Sequence, residues 1–242
     1  MATFVLVHGA WIGGWCWRDT AAQLRQAGHT VFTPTLSGLG EHAHQSSPDI
    51  TLETHIRDVC GCLEAEELTD IVLCGHSYGG CVITGVADRM SDRIRSLVYV
   101  DAFVPQDGQA LNDLLPICLG PEGAAPLLNE FRSTAEASNG LMAPIPAEAC
   151  GVSPEKQDWV TRRCVPQALA TFEIPIRLTG AGKKIEKRLY ILADAWDPSP
   201  FRYFAGQFAS QSNWKVITMQ CGHCVMVDLP GELASELMAF AN

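Results

Sequence analysis

Short apolar runs alternate along this chain with stretches whose apolar residues recur every three or four positions. Phe4-Val5-Leu6-Val7 is a continuous apolar run ending at His8-Gly9 and predicts a buried strand. From Arg18 to Gly28 the spacing of Ala21, Leu24 and Ala27 predicts a helix, with Gly28 where a C-terminal cap belongs. His29–Pro34 predicts the next strand, and Thr51–Glu66 a second amphipathic helix. Ile71-Val72-Leu73-Cys74 reads as a strand that runs straight into Gly75-His76-Ser77-Tyr78-Gly79-Gly80 and then a helical stretch to about Met90. Leu97–Val100, Leu189–Leu192 and Lys215–Met219 supply three further strands, and Gly231–Phe240 a closing helix.

Strands that are apolar throughout, each followed by a helix, are buried on both faces. That pattern predicts an α/β fold with a mostly parallel sheet and helices on both sides. The alternation lapses between Gln106 and Lys187, a segment rich in Pro, Gly and Ala with helix-like pieces at Ala124–Ala137 and Ser153–Cys164. It is too long for a plain loop. The expected organisation is a core in two parts, 1–105 and 188–242, with a helical lid over 106–187 inserted before the last two strands. Leu114, Leu115, Leu127, Leu128, Phe131 and Trp159 of that lid are expected either to line a pocket or to pack the lid onto the sheet.

Of the 242 residues 47% are apolar, enough for one sizeable core. The 17 basic and 27 acidic residues leave a formal charge of −10. Such a surface repels phosphate backbones and anionic lipid, so neither nucleic acid nor membrane is expected as a partner. No basic n-region opens the chain and no apolar stretch nears the roughly 20 residues of a membrane span, so the expected compartment is the cytoplasm. The ten cysteines are scattered through strand- and helix-like segments and read as reduced, buried small side chains. A monomer or homodimer is expected.

The chemistry concentrates at Gly75-His76-Ser77-Tyr78-Gly79, a G-x-S-x-G pattern between a strand and a helix. A serine on so sharp a turn takes up a strained backbone, glycines at ±2 make room, and the hydroxyl stands above the sheet edge beside a helix N-terminus. A serine nucleophile needs a base. Of the seven histidines, only His223 lies on the loop after the last predicted strand, at the same carboxyl edge of the sheet as Ser77. The orienting carboxylate is expected on the loop after Leu189–Leu192, at Asp197, with Asp194 and Asp101 as alternatives. The backbone N–H groups of Ala10, in His8-Gly9-Ala10-Trp11, and of Tyr78 are the expected oxyanion donors. His42 and His44 with Glu41 read as solvated loop residues rather than metal ligands, and no cofactor or metal is expected. A neutral His223 as base predicts a rate that rises with pH through about 6 to 7.

Taken together, these segments resemble the α/β-hydrolase superfamily over essentially the whole chain. Within it they resemble the branch of plant methylesterases, hydroxynitrile lyases and bacterial esterases such as pyrethroid hydrolases. Gly13-Gly14-Trp15-Cys16-Trp17 and Val98-Tyr99-Val100-Asp101-Ala102-Phe103-Val104-Pro105 carry the closer likeness. The resemblance implies a serine esterase, and the apolar residues of the lid point to a small to medium, hydrophobic carboxylic ester as its substrate. The lyases of this branch place a lysine after the catalytic histidine, where this chain has Cys224, and tend to carry a threonine where it has Ala10. Two other classes stay in view: a receptor-like protein of the same fold with little turnover, and a dithiol enzyme built on Cys221-Gly222-His223-Cys224.

Overall fold

The computed structural model describes residues 1–241. In chain order its elements begin β1 (Thr3–Val7), α1 (Arg18–Gln26), β2 (Thr30–Phe32), α2 (Leu52–Ala65), β3 (Ile71–Ser77), α3 (Gly79–Arg89) and β4 (Ile94–Ala102). There follow α4 (Leu111–Ala137), β5 (Leu141–Met142), α5 (Pro154–Thr161), β6 (Gln167–Ala168) and α6 (Ala170–Glu173). The chain ends with β7 (Arg188–Ala193), α7 (Phe201–Phe208), β8 (Trp214–Met219), α8 (Val225–Asp228) and α9 (Pro230–Ala241).

Among the described residues six strands form one parallel sheet in the order β2-β1-β3-β4-β7-β8. The period of two along each strand sorts its side chains into two cores. Val5, Val7, Ile71, Leu73, Leu97, Tyr99, Tyr190 and Leu192 face one way, against α2, α3 and α7. Phe4, Leu6, Val72, Cys74, Val98, Val100, Leu189 and Ile191 face the other, against α1 and α9. This double burial is why the strands are apolar throughout. The chain runs from β1 outward to β2, then returns to lay β3 on the other side of β1. The carboxyl ends of β1 and β3 thus flank the point where the strand order reverses, the usual position of a ligand crevice in an open α/β sheet.

The segment between β4 and β7 is helical, as its composition predicts, with two differences. Its first helix starts at Leu111 and is broken at Gly120 (φ 75°, ψ 158°), so the prolines at 116, 121 and 126 sit in two shorter helical pieces. It also holds an antiparallel pair, β5 with β6, too short to leave a periodic signal. Helix α7 escaped the sequence reading, although Phe201, Phe204 and Phe208 mark its buried face. Among the described residues no helix is long and apolar enough to cross a membrane.

Two carboxylates hold the return from this insert to the sheet: Asp107 Oδ1 accepts the Leu178 N–H (2.8 Å), and Asp88 takes the residues that follow. Asp88, at the end of α3, accepts from Thr179 N (2.6 Å), Thr179 Oγ1 (3.0 Å), Gly180 N (2.8 Å) and Gly182 N (3.3 Å). Removing it strands several backbone donors at once, each costing about 1–3 kcal/mol if left unsatisfied. Asp88→Ala is therefore expected to lower the stability by about 2–3 kcal/mol, read as a lower urea midpoint at constant m-value. An unchanged midpoint would show that water replaces these bonds at no cost.

Candidate active site

Ser77 ends β3, and α3 begins two residues later. Its φ of 54° is left-handed, the strained turn expected between this strand and helix. The crowding around it is direct: a Cβ on Gly75 would lie 2.6 Å from the Gly79 carbonyl oxygen. Ser77 faces a cavity of about 390 Å³ that His223, Ala10 and Tyr78 also line. Among the described residues no group hydrogen-bonds its hydroxyl.

The carboxylate that meets His223 is not the one expected first. Asp101 Oδ2 lies 2.6 Å from His223 Nδ1, and its Oδ1 accepts from the Ala193 N–H at 3.0 Å. Both side chains are buried. Asp197 instead has a side chain 81% exposed, 3.8 Å from Arg202 Nε, and Asp194 is bonded to the same arginine. The reason lies in strand register. His76 pairs with Val100 but Ser77 with Ala102, so Asp101 is an extra residue, a bulge with φ 44°. A bulge re-aims the side chain it carries, and here it turns Asp101 from the strand end toward the histidine loop. Asp197 sits beyond the end of β7, on a loop that borders the cavity, with its side chain turned to solvent beside Arg202 of α7.

His223 is fixed from several sides. Its N–H donates to the Cys150 carbonyl (2.9 Å), and its own carbonyl accepts from His76 Nε2 (3.0 Å). Its ring stacks on Phe201 (5.0 Å between centroids, 7° between planes) and Trp196 (4.6 Å, 28°). Burial pushes the imidazole down, to about 3, because a charged ring would lose its water. With its proton on Nδ1, given to Asp101, the neutral ring keeps Nε2 as the basic atom.

The turn after β1 closes the other side. His8 accepts the Leu36 N–H on Nε2 (3.1 Å), so its proton sits on Nδ1, where it donates to the Gly9 carbonyl (2.8 Å). A Cβ on Gly9 would lie 2.8 Å from His76 Nδ1 and 2.9 Å from Ser77 Cβ, so the turn is pressed against the serine. Among the described residues the N–H groups of Ala10 and Tyr78 have no acceptor. The Tyr78 hydroxyl donates to His55 Nδ1 (2.8 Å), and His55 Nε2 donates to the Ser37 carbonyl (2.9 Å). One participant escaped the sequence reading altogether. Gln167, on the insert, accepts the Trp11 N–H at 2.9 Å, and no local signal in the chain points to it.

Apolar side chains form most of the cavity wall, among them Phe103, Leu115, Leu127, Phe131, Phe172 and Phe201. Of the other lid residues, Leu114 is buried in the core, Leu128 packs against it, and Trp159 stands edge-on to Trp15 at 4.9 Å. Cys221 and Cys224 are unbonded, and burial pushes the Cys221 thiol up to about 12. A redox dithiol needs a shift in the opposite direction. Glu41, His42 and His44 lie on a short 3-10 turn, and among the described residues no three metal-ligating side chains converge.

A sequence model of the Alpha/beta hydrolase family matches residues 4–236. The chain is 61% identical over 240 residues to a carbendazim hydrolyzing esterase from Nocardioides sp. (strain SG-4G), covering 99% of each. Among solved structures it is similar to an extracellular alpha/beta-hydrolase from a Paenibacillus species, with 29% identity, a TM-score of 0.83 and coverage of 100% and 99%. A pyrethroid hydrolase from Sphingobium faniae JZ-2 shares the fold, with 22% identity, a TM-score of 0.75 and coverage of 99% and 97%.

Burial holds four histidines neutral: His8 at about 3, His55 at about 4, His223 at about 3, and His76 well below its ordinary value. Below about 6.5 the unfolded chain takes up protons that the folded chain refuses, so this contribution is complete above 6.5 and lost as pH falls toward the folded values. Each such group costs about 1.4 kcal/mol per pH unit in that window. Asp101, whose carboxyl burial pushes up, acts with the opposite sign, one group against four. Urea midpoints at pH 7.5, 6.5 and 5.5 are expected to hold between the first two and then drop steeply. A constant midpoint down to pH 5.5 would mean that these rings protonate in the folded state.

Proposed function

The chain belongs to the alpha/beta hydrolase family, and we propose that it is a serine carboxylesterase acting on a small to medium, hydrophobic ester through an acyl-enzyme on Ser77. What carries the reading is the convergence on one cavity of an unbonded serine hydroxyl, a buried histidine tied to a carboxylate, and two unpartnered N–H groups. In this scheme His223 Nε2 takes the Ser77 proton as Oγ attacks the ester carbonyl. The N–H groups of Ala10 and Tyr78 receive the oxyanion, and Asp101 steadies the imidazolium through Nδ1. His223 then returns the proton to the departing alcohol. Water, deprotonated by the same ring, releases the acid and restores the serine.

The wall of aromatic and aliphatic side chains favours an uncharged, hydrophobic ester, since the lining holds no lysine or arginine to receive a carboxylate. The name of the 61% identical relative makes carbendazim the first compound to test beside simple esters.

Hydrolysis of p-nitrophenyl esters and of carbendazim by wild type and variants tests the scheme. Ser77→Ala is expected to lose on the order of 10⁴-fold or more in kcat, and phenylmethylsulfonyl fluoride to add one mass adduct to wild type alone. Undiminished turnover by Ser77→Ala would rule out the acyl-enzyme. Asp101→Asn is expected to cost on the order of 10⁴-fold in kcat, and Asp197→Asn less than about threefold. The reverse order would return the acid's role to Asp197.

The depressed value of His223 also alters the expected pH profile. The acid limb of kcat/KM should lie below the ordinary histidine value of about 6.5, rather than within the range of 6 to 7 that an unshifted ring predicts. An acid limb centred at or above 6.5 in folded enzyme would show that Asp101 raises the ring more than burial lowers it.

A further inference from the structure

We propose that Gln167, on the insert, is the positioning residue of the oxyanion turn: its amide oxygen holds the Trp11 peptide so that the neighbouring Ala10 N–H stays free to face the cavity. The inference rests on the reading of Ser77 as nucleophile and Ala10 N–H as oxyanion donor.

Trp11 has φ 62°, a conformation that costs a bulky residue about 1 kcal/mol or more and persists only where the surroundings hold it. Both of its backbone groups are held by one stretch of the insert. The Trp11 N–H donates to Gln167 Oε1 (2.9 Å), and the Trp11 carbonyl accepts from the Val165 N–H (2.8 Å). Its ring packs against Phe131 and Phe172, with centroids 5.7 and 5.6 Å away.

Gln167 itself cannot turn. Thr171 spends its hydroxyl proton on the Ala168 carbonyl (2.7 Å), so its oxygen can only accept, and it accepts from Gln167 Nε2 at 2.8 Å. That fixes which end of the amide is nitrogen and leaves the oxygen to Trp11. Gln167 is 2% exposed and paired through β6 to Met142, so neither water nor rotation offers Trp11 another acceptor. Without that acceptor the Trp11 N–H is an orphan, and relaxation of φ to negative values swings the Ala10–Trp11 peptide and the turn that carries the Ala10 N–H.

The test compares Gln167→Met, which keeps the bulk and loses the acceptor, with Gln167→Glu, which keeps the acceptor, and with Thr171→Val, which frees the amide to turn. Rates are expressed per active site titrated with a fluorophosphonate, so misfolded protein drops out of the comparison. Gln167→Met is expected to lower kcat about 10- to 100-fold, short of the roughly 10²–10³ for deleting a donor outright, with KM within about threefold. Affinity for a trifluoromethyl ketone, which forms a tetrahedral adduct on the serine, should fall by the same factor as kcat. Gln167→Glu should recover most of the loss, and Thr171→Val should show a smaller loss of the same kind.

Unchanged kcat per titrated site in Gln167→Met and Thr171→Val would overturn the proposal. So would a loss appearing only in KM, or an equal loss in Gln167→Glu. Should Gln167→Met yield no titratable protein, Thr171→Val decides alone. A wild type that neither turns over esters nor labels at Ser77 is a different failure: it removes the esterase reading and this inference together, whereas the inference fails alone when wild type is active and the variants match it.

Discussion

Everything at this site depends on the short hydrogen bond between Asp101 and His223, made where water does not reach. A carboxylate in such a place needs donors, and it has two: the His223 ring and the Ala193 N–H at the end of β7. The second ties the acid to the neighbouring strand, so its position is set by sheet geometry. That geometry is a defect in register. One extra residue in β4 bends the strand end and carries Asp101 across to the loop after β8.

The same site gathers backbone strain. Among the described residues six non-glycine residues have positive φ, and three of them are Trp11, in the turn after β1, Ser77, at the end of β3, and Asp101, near the end of β4. Each is held by what lies behind it: Trp11 by the insert, Ser77 by α3 and its glycine neighbours, Asp101 by β7. Two cores, one on each face of the sheet, supply the stability against which such strain is kept.

How much of this was legible in the chain follows from what each feature depends on. That Ser77, His223, Ala10 and Tyr78 border one cavity is legible because a strand, a tight turn and a helix leave local patterns, and because parallel strands send every following loop to one edge. The bulge leaves no pattern. Val98-Tyr99-Val100-Asp101 reads as an unbroken strand, so Asp101 appeared only as an alternative to Asp197, which lies where a loop carboxylate is ordinarily sought. Gln167 was invisible for a different reason: it meets Trp11 across 156 positions of sequence. The pair β5 and β6, which carries it, is two residues wide. The helix-like piece expected at Ala124–Ala137 is the second part of α4, whose first part, from Leu111 to the break at Gly120, carries no clear apolar period.

The insert is sewn to the loop of His223 and the turn after β1 by main-chain bonds, Cys150 to His223 and Val165 to Trp11, while side chains of α4 line the cavity. The insert thus shapes the cavity through side chains and braces the His223 loop and the turn after β1 through backbone. Leu115 and Leu127 line the wall without taking part in those main-chain bonds, so exchanging either reshapes the wall and leaves the sewing intact. Transplanting a whole foreign insert would cut the threads that hold the histidine and the turn. The backbone bonds from the insert and the side-chain wall of the cavity are therefore separable parts of one segment.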